Sequence, residues 1–294
     1  MTWIFFALGS ALFAALQSIP AKAGMKHIDS TAATALRTTV ILLFAWLMVW
    51  ITGQSAPPHI SVKSYLFLAL SGVATGASWL CYYHALHLGT VNKVTAVDKS
   101  STVLSMLLAF AVLREPLSAN MIVGMIAIAG GTVLMLKKGK REQSAADGQS
   151  GAENRKWFAY AALSAVFAAL TSILAKYGIE NVPSNYATAF RTGIVLVMAW
   201  LVVFIQKKQT ALKNVRKKDI VFIALSGIAG GASWLCYYRA LQSGPASVVV
   251  PIDKLSILGT ALFARIFFHE KLNPYQKTGL VLITAGTLVL LVHF

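Results

Sequence analysis

The sequence predicts an all-α integral membrane protein in which ten transmembrane helices form two inverted five-helix repeats. The composition, the length of the apolar stretches and the similarity of the two halves lead to this fold class. Of the 294 residues, 57% are hydrophobic and only 12% are charged, and the mean hydropathy is +0.67. Soluble domains carry about 25% charged residues, so a soluble fold with this composition could not present a polar surface.

The apolar stretches are long enough to cross a bilayer, because a hydrocarbon core of about 30 Å requires roughly 20 apolar residues per helix. Lipid leaves no backbone group unsatisfied, and these stretches lack the alternation of a β-barrel strand. The predicted spans are 3–21, 31–52, 64–86, 91–112, 118–136, 157–176, 185–206, 219–241, 246–268 and 273–293.

The two halves of the chain are copies of one another. Leu68–Gly89 aligns with Ile223–Gly244 and matches it at 16 of 22 positions by direct count, including the string SWLCYY. The sequence therefore predicts a first repeat over 1–136, a basic polar linker over 137–156 and a second repeat over 157–294. Five helices per repeat is an odd number, so the second copy must enter the membrane upside down, which is typical of secondary transporters.

The net charge of +16 does not indicate a nucleic-acid partner, because the basic residues cluster in short segments between apolar stretches. The linker and the loop 207–218 each contain six lysines and arginines. Basic loops face the anionic cytoplasmic side, so we predict both segments to be cytoplasmic and both termini to lie outside. The expected location is a bacterial-type cytoplasmic (inner) membrane.

Two Asp-Lys pairs lie inside predicted spans, where ionisable groups are costly and usually functional. Asp98-Lys99 and Asp253-Lys254 each begin about seven residues into a span, roughly 10 Å deep at 1.5 Å per residue. Inverted repeats would bring them toward the midplane from opposite faces, as solute or coupling-ion ligands. Pro251 is expected to break its helix or to start it afresh, which could place Asp253 in the first turn of a half-helix. Helix capping or an internal Asp–Lys pair is the alternative.

Arg37 and Arg191 occupy equivalent positions near the start of the second span of each repeat. Arginines near span ends commonly extend to the interface, and this is one interpretation here. The other is that each arginine pairs with one of the aspartates as part of a gate.

A repeated aromatic block lies in the middle of the third span of each half. Trp79 and Tyr82 in the first half correspond to Trp234 and Tyr237 in the second. Their depth argues against an interfacial belt. Two interpretations stay open: close packing beside small residues, or the lining of a solute cavity.

Catalytic motifs such as GxSxG, HExxH or a phosphate-binding P-loop do not occur in the sequence, nor does a His/Cys metal cluster. We therefore expect no enzyme activity, no cofactor and no metal site. The expected partners are a small-molecule solute, the lipid bilayer and a candidate coupling proton, and the sequence leaves a homodimer open.

The chain resembles the EamA family of the drug/metabolite transporter superfamily. The resemblance rests on the helix pattern, on Arg37 and Arg191, and on the segments 113–117, 251–256 and 268–272. It implies a central cavity walled by the first, third and fourth helices of each half, and export or uptake of metabolites such as amino acids. Family members are usually drawn with cytoplasmic termini, which disagrees with the loop charges.

Related small multidrug exporters couple to protons through a glutamate in the first helix. The resemblance places Gln17 and Thr171 nearest to that position, and neither side chain can take up a proton. Asp98 and Asp253 are then the remaining carboxylates for coupling.

The function expected from the sequence is secondary transport of a small metabolite, with export as the expected direction, by alternating access around a midplane site between the repeats. The alternative is a non-transporting membrane receptor or assembly subunit. Such a protein would keep the packing motifs and lack a hydrated cavity.

Overall fold

The computed structural model describes residues 2–24, 28–54, 59–88, 94, 97–98, 100–116, 118–135, 151–209, 215–268 and 273–291. Lys99, Glu270 and most of the linker lie outside these residues. The described part of the chain is helical and contains no strand. Its helices are α1 Thr2–Leu16, α2 Ser18–Gly24, α3 Ser30–Thr52, α4 Val62–Leu88, α5 Ser101–Leu113, α6 Ala119–Met135, α7 Gly151–Gly178, α8 Ser184–Ile205, α9 Lys217–Ser243, α10 Ala246–Lys254, α11 Ser256–Phe268 and α12 Pro274–Leu291.

The outer surface of the bundle is apolar, as a lipid-facing surface must be. Phe5, Trp50 and Val281 are 76%, 80% and 66% exposed. Within the described residues, seven segments are long and apolar enough to cross a membrane: 2–21, 30–52, 62–82, 156–178, 184–205, 217–243 and 246–263. The apolar helices α5 and α6 are shorter, and α12 begins with a polar turn. The count of ten spans therefore still rests on the sequence pattern.

A proline interrupts the first span of the chain but not its counterpart. Pro20 has no N–H with which to bond the carbonyl of Leu16, and the helix breaks at Gln17 between α1 and α2. The Ser18 hydroxyl donates to the Ala15 carbonyl at 2.6 Å at this break. The corresponding helix α7 has no proline and is continuous.

Of the two outcomes predicted for Pro251, a fresh helix start that places Asp253 in a first turn is wrong. Pro251 lies inside α10, and the break follows it at Leu255, so Asp253 lies in the last turn of α10 and not in a first turn. The helix begins earlier because Pro245 precedes it and the Glu115 carboxylate accepts the N–H groups of Ala246 and Ser247 at 2.7 and 2.9 Å. Because these N–H groups at the start of α10 are satisfied, the helix tolerates the loss of the one backbone hydrogen bond that Pro251 cannot donate.

Equivalent helices of the two halves pack antiparallel. A Cβ built on Gly124 would lie 2.8 Å from the Gly286 carbonyl oxygen, and one on Gly131 would lie 2.6 Å from that of Gly279. Residue numbers thus rise along α6 while they fall along α12. The absence of side chains at these positions lets the two helices meet backbone to backbone.

The halves also interlock through α1 with α9 and through α7 with α4. The Ser233 hydroxyl donates to the Ser10 carbonyl, and the Ser226 hydroxyl to the Gln17 carbonyl, both at 3.0 Å. The Ser78 hydroxyl donates to the Ser164 carbonyl at 3.0 Å in the equivalent pair of helices. Hydroxyls therefore tie the first helix of each half to the third helix of the other.

Candidate functional site

A polar cavity of about 360 Å³ lies between α1, α4 and α7–α11. Its volume falls in the range of small-molecule sites, about 300–1,000 Å³. Eight residues that the sequence singled out line it: Gln17, Trp79, Thr171, Arg191, Trp234, Tyr237, Asp253 and Lys254. The remaining lining residues are Ala14, Thr75, Ser78, Ala168, Ser172, Ser233, Tyr238 and Ser256.

Arg191 is a buried cation in the wall of this cavity, with only 4% of its surface exposed. Its Nε donates to the Ser71 hydroxyl at 3.1 Å and its Nη2 to the Thr75 hydroxyl at 2.5 Å. The guanidinium carbon lies 5.3 Å from the ring centroids of both Trp234 and Tyr238. Among the described residues no carboxylate lies within ion-pair distance of it, so the wall presents a positive charge that an anionic ligand group would balance.

Asp253 brings a negative charge to the same cavity. Its Oδ1 accepts the Ser10 hydroxyl at 2.6 Å, and its Oδ2 lies 3.5 Å from Nζ of Lys254. The carboxylate is 17% exposed and the lysine 44% exposed. The Asp–Lys pair that the sequence left as an alternative therefore exists, and it lines the cavity at the same time.

Aromatic side chains form the apolar part of the wall. The Tyr237 hydroxyl donates to Ser172 Oγ at 3.0 Å, and the ring makes an edge contact with Tyr238 at 5.8 Å between centroids. Trp79 and Trp234 line the cavity from equivalent positions of α4 and α9. Charged groups and flat apolar surfaces together suit a small amphiphilic solute.

Gln17 reaches the cavity because of a glycine on the opposite helix. A Cβ built on Gly230 would lie 2.6 Å from Gln17 Oε1. The amide side chain therefore occupies space that any other residue at 230 would take.

The remaining sequence candidates lie elsewhere. Asp98 accepts the Ser164 hydroxyl at 2.8 Å. Arg37 lines a separate cavity of about 30 Å³. Tyr82 packs against a buried cluster around Ala85 and Trp157. Lys99 lies outside the described residues.

One residue difference separates the surroundings of the two arginines. Arg191 bonds Ser71 and Thr75, whose counterparts near Arg37 are Ser226 and Gly230. Both serines donate to a backbone carbonyl of the opposite half, Ser71 to Thr171 at 2.8 Å and Ser226 to Gln17 at 3.0 Å, whereas Gly230 carries no hydroxyl. The hydroxyl that Thr75 offers to Arg191 therefore has no counterpart at position 230.

Sequence reasoning missed the hydroxyl residues of the site, including Ser10, Ser172, Thr75 and Tyr238. Isolated serines and threonines in apolar helices usually indicate helix packing. The signal that could have found Ser10 is its repetition as Ser164, since each serine donates to the aspartate of the other half.

The apolar surface and the candidate spans among the described residues indicate a multi-pass membrane protein with a polar cavity between its helices. The chain belongs to the EamA-like transporter family, whose model matches residues 1–137 and 155–292.

Relatives support this assignment. An uncharacterized transporter in the cobO 3′ region of Sinorhizobium sp. is 42% identical over 139 residues, which cover 47% of this chain and 99% of that protein. A probable 4-amino-4-deoxy-L-arabinose-phosphoundecaprenol flippase subunit, ArnE, of Enterobacter sp. is 31% identical over 84 residues, 29% of this chain and 78% of that protein. One crystal structure matches 99% of this chain and 97% of its own with a TM-score of 0.76; at 16% identity this is a likeness of fold alone.

Proposed function

We propose that this protein is a secondary transporter that exports a small anionic or zwitterionic metabolite by alternating access around the central cavity. The observation that carries the proposal is Arg191, a buried guanidinium that faces the cavity and whose partners among the described residues are hydroxyls and aromatic rings. A buried charge without a counter-charge is costly, and a solute carboxylate would supply the missing partner through charge-assisted hydrogen bonds.

The second charge in the cavity defines the other end of the solute. Asp253 can accept hydrogen bonds from an amine, while Trp79 and Trp234 provide apolar surface between the ends. Lys254 partly balances Asp253 at 3.5 Å, which also allows purely anionic solutes to enter. The family resemblance to metabolite transporters agrees with this class of cargo.

The antiparallel contacts of equivalent helices support two inverted repeats that rock against each other. The pairs α6–α12 and α3–α8 each join counterparts of the two halves, as Thr31 with Gln206 and Thr52 with Asn185 illustrate. Helices related by a two-fold axis perpendicular to their length must run antiparallel where they meet. The proposal assigns ten spans and a midplane site to this arrangement.

A non-transporting receptor or assembly subunit would be expected to fill the space around Asp253 with packed side chains. The cavity of about 360 Å³ favours transport over that alternative.

The test is a thermal-shift screen of purified protein against amino acids, organic acids and quaternary amines, followed by flux assays in proteoliposomes. Solutes with a carboxylate should stabilise the protein, and Arg191→Gln should weaken their binding at least tenfold, since a hydrogen bond to a charged group contributes about 1.5–3 kcal/mol. Arg265→Gln removes an exposed arginine from α11, outside the cavity, and serves as the matched control. Stabilisation by quaternary amines alone would contradict the proposed solute class.

A further inference from the structure

A second crevice lies on the outside of the bundle, away from the central cavity. It has a volume of about 390 Å³ and runs between α1 and α3 over α9, reaching the start of α8. We call it the α1–α3 crevice. We propose that it binds one anionic phospholipid, with the headgroup phosphate at Arg239 and an acyl chain along the apolar floor.

The crevice changes from polar to apolar along the helix axis. Three polar residues of the crevice lie near helix ends. Gln54 lies just after α3 ends, Ser184 is the first residue of α8, and Arg239 lies four residues before α9 ends. Phe44 precedes Gln54 by ten residues, about 15 Å deeper at 1.5 Å per residue. Polar groups at one end of the spans and an apolar floor deeper in the bundle match a lipid lying along the membrane normal.

The polar end offers hydrogen-bond donors that the protein itself does not use. Arg239 is exposed, donates from Nη1 to Gln242 at 3.0 Å, and has no carboxylate within ion-pair distance among the described residues. Ser184 is 1% exposed, and its hydroxyl has no hydrogen-bond partner in the described part of the chain. Gln54 uses only its Oε1 there, accepting the Asn185 N–H at 3.3 Å.

These donors suit a phosphodiester, which carries a negative charge and only acceptor oxygens in its phosphate. Arginine binds phosphate oxygens through a planar fork of donors. The guanidinium carbon of Arg239 already lies 6.0 Å from the Phe6 ring centroid, which holds it over the mouth of the crevice.

The deeper part of the crevice is apolar. Phe44, Met48, Leu235 and Cys236 line it. Phe44 fits there because Gly231 carries no side chain; a Cβ at that position would lie 2.7 Å from the Phe44 ring. The neighbouring outer surface of α3, with Trp46 and Trp50 exposed, faces lipid.

The equivalent surface of the first half differs at both key positions. His84 replaces Arg239 and Tyr160 replaces Phe6, and these two rings lie in edge contact at 4.3 Å between centroids. This surface of the first half therefore serves as a comparison site in which the permanent cation is replaced by a histidine.

Native mass spectrometry of the detergent-purified full chain tests the proposal. Phosphatidylglycerol and phosphatidylcholine with identical acyl chains are added separately. The wild type should retain one phosphatidylglycerol about tenfold more tightly than phosphatidylcholine, and Arg239→Ala should remove that preference. Arg265→Ala, which deletes the same charge elsewhere, and His84→Ala should keep it.

A second variant separates loss of the site from loss of charge. Ala232→Leu places a larger side chain in the crevice and leaves Arg239 intact. Bound lipid should be lost, while a thermal unfolding transition in lipid-free detergent should show that the variant is folded. Equal retention of both lipids by the wild type, or equal losses in Arg239→Ala and Arg265→Ala, would overturn the proposal. Stabilisation by glycerol 3-phosphate alone would overturn it as well, because the ligand would then be a soluble phosphate. None of these readouts depends on transport.

Discussion

At the scale of single residues, the two aspartates of the repeats each bond a serine but lie in different surroundings. Asp253 and Asp98 each accept a hydrogen bond from a serine of the opposite half, Ser10 at 2.6 Å and Ser164 at 2.8 Å. Only Asp253 is among the residues that line the central cavity. In this structure, hydroxyls that cross between the halves hold both carboxylates in place.

We predict that Asp253→Asn lowers solute flux in proteoliposomes about tenfold, because the amide keeps the shape of the side chain and loses its charge. The Asp98→Asn variant is expected to impair flux too, through the equivalent contact. Glu180→Gln, at an exposed turn, is the control and should leave flux unchanged. Normal flux in the double variant Asp98→Asn/Asp253→Asn, with normal membrane insertion, would exclude a transport role for both carboxylates.

Asp29 combines two stabilising contacts outside the membrane spans. Its Oδ1 accepts the Thr31 N–H at 2.9 Å as the N-cap of α3, and its Oδ2 accepts Nζ of Lys208. Partial burial raises the pKa of the Asp29 carboxyl, but the hydrogen bond and charge of Lys208, together with the Thr31 N–H, hold that pKa below its ordinary value.

A carboxyl whose pKa is lowered by folding stabilises the protein above its unfolded pKa, about 3.9, and the effect disappears as the pH falls through the lower folded pKa. Asp29→Asn keeps the cap and removes the charge, so we expect a loss of at most about 1 kcal/mol at neutral pH. Thermal unfolding of both proteins should converge as the pH falls below about 4. A constant difference over the whole pH range would show that charge is not the cause.

At the scale of helices, α6 and α12 depend on close backbone contact. A Cβ on Gly131 would lie 2.6 Å from the Gly279 carbonyl oxygen and 2.9 Å from the Ile283 nitrogen, both of them backbone atoms that cannot move aside alone. A Cβ on the adjacent Gly130 would meet nothing within 4 Å. The two neighbouring glycines therefore offer a matched comparison.

Gly131→Ala should lower the thermal unfolding temperature, since the two helices would have to separate. Gly130→Ala should keep or raise it, because alanine favours a helix by about 1 kcal/mol over glycine. Measurement of both variants in the same detergent checks the prediction. Equal effects of the two substitutions would mean that α6 and α12 do not pack as closely as described.

At the scale of the whole molecule, contacts between loops bear on the topology. Asp29, between the first and second spans, bonds Lys208, which follows α8. Both segments must therefore lie on the same membrane face, as the ten-span arrangement requires. The loop after α8 is strongly basic, so the positive-inside rule predicts that this face is cytoplasmic.

Reporter fusions test this orientation. Green fluorescent protein inserted in the linker should fluoresce in the cytoplasm, and alkaline phosphatase fused after Phe294 should be active outside. The reverse result would support the orientation usually drawn for the family and show that loop charge misleads here. Finding both reporters on one side would contradict five spans in the second half.

Much of the architecture could be predicted because it depends on local properties of the chain. The length of the apolar stretches, the repetition of SWLCYY and the paired Asp-Lys motif can be recognised in the sequence without knowledge of any tertiary contact. Helix ends near Pro251 were harder to predict, because the start of α10 depends on Glu115, which lies 131 residues away in the sequence. A distant carboxylate that caps a helix leaves no local pattern.

By itself, then, the sequence determined a helical membrane protein of two related halves and its family, since burial in lipid constrains every residue of a span in the same way. The tertiary structure alone decided which members of equivalent pairs face the central cavity, namely Arg191 and Asp253 and not Arg37 and Asp98. The physical reason is that a place in the cavity wall depends on contacts between residues far apart in the chain. Arg191, for example, bonds Thr75, 116 residues away, and no local sequence pattern records such a contact.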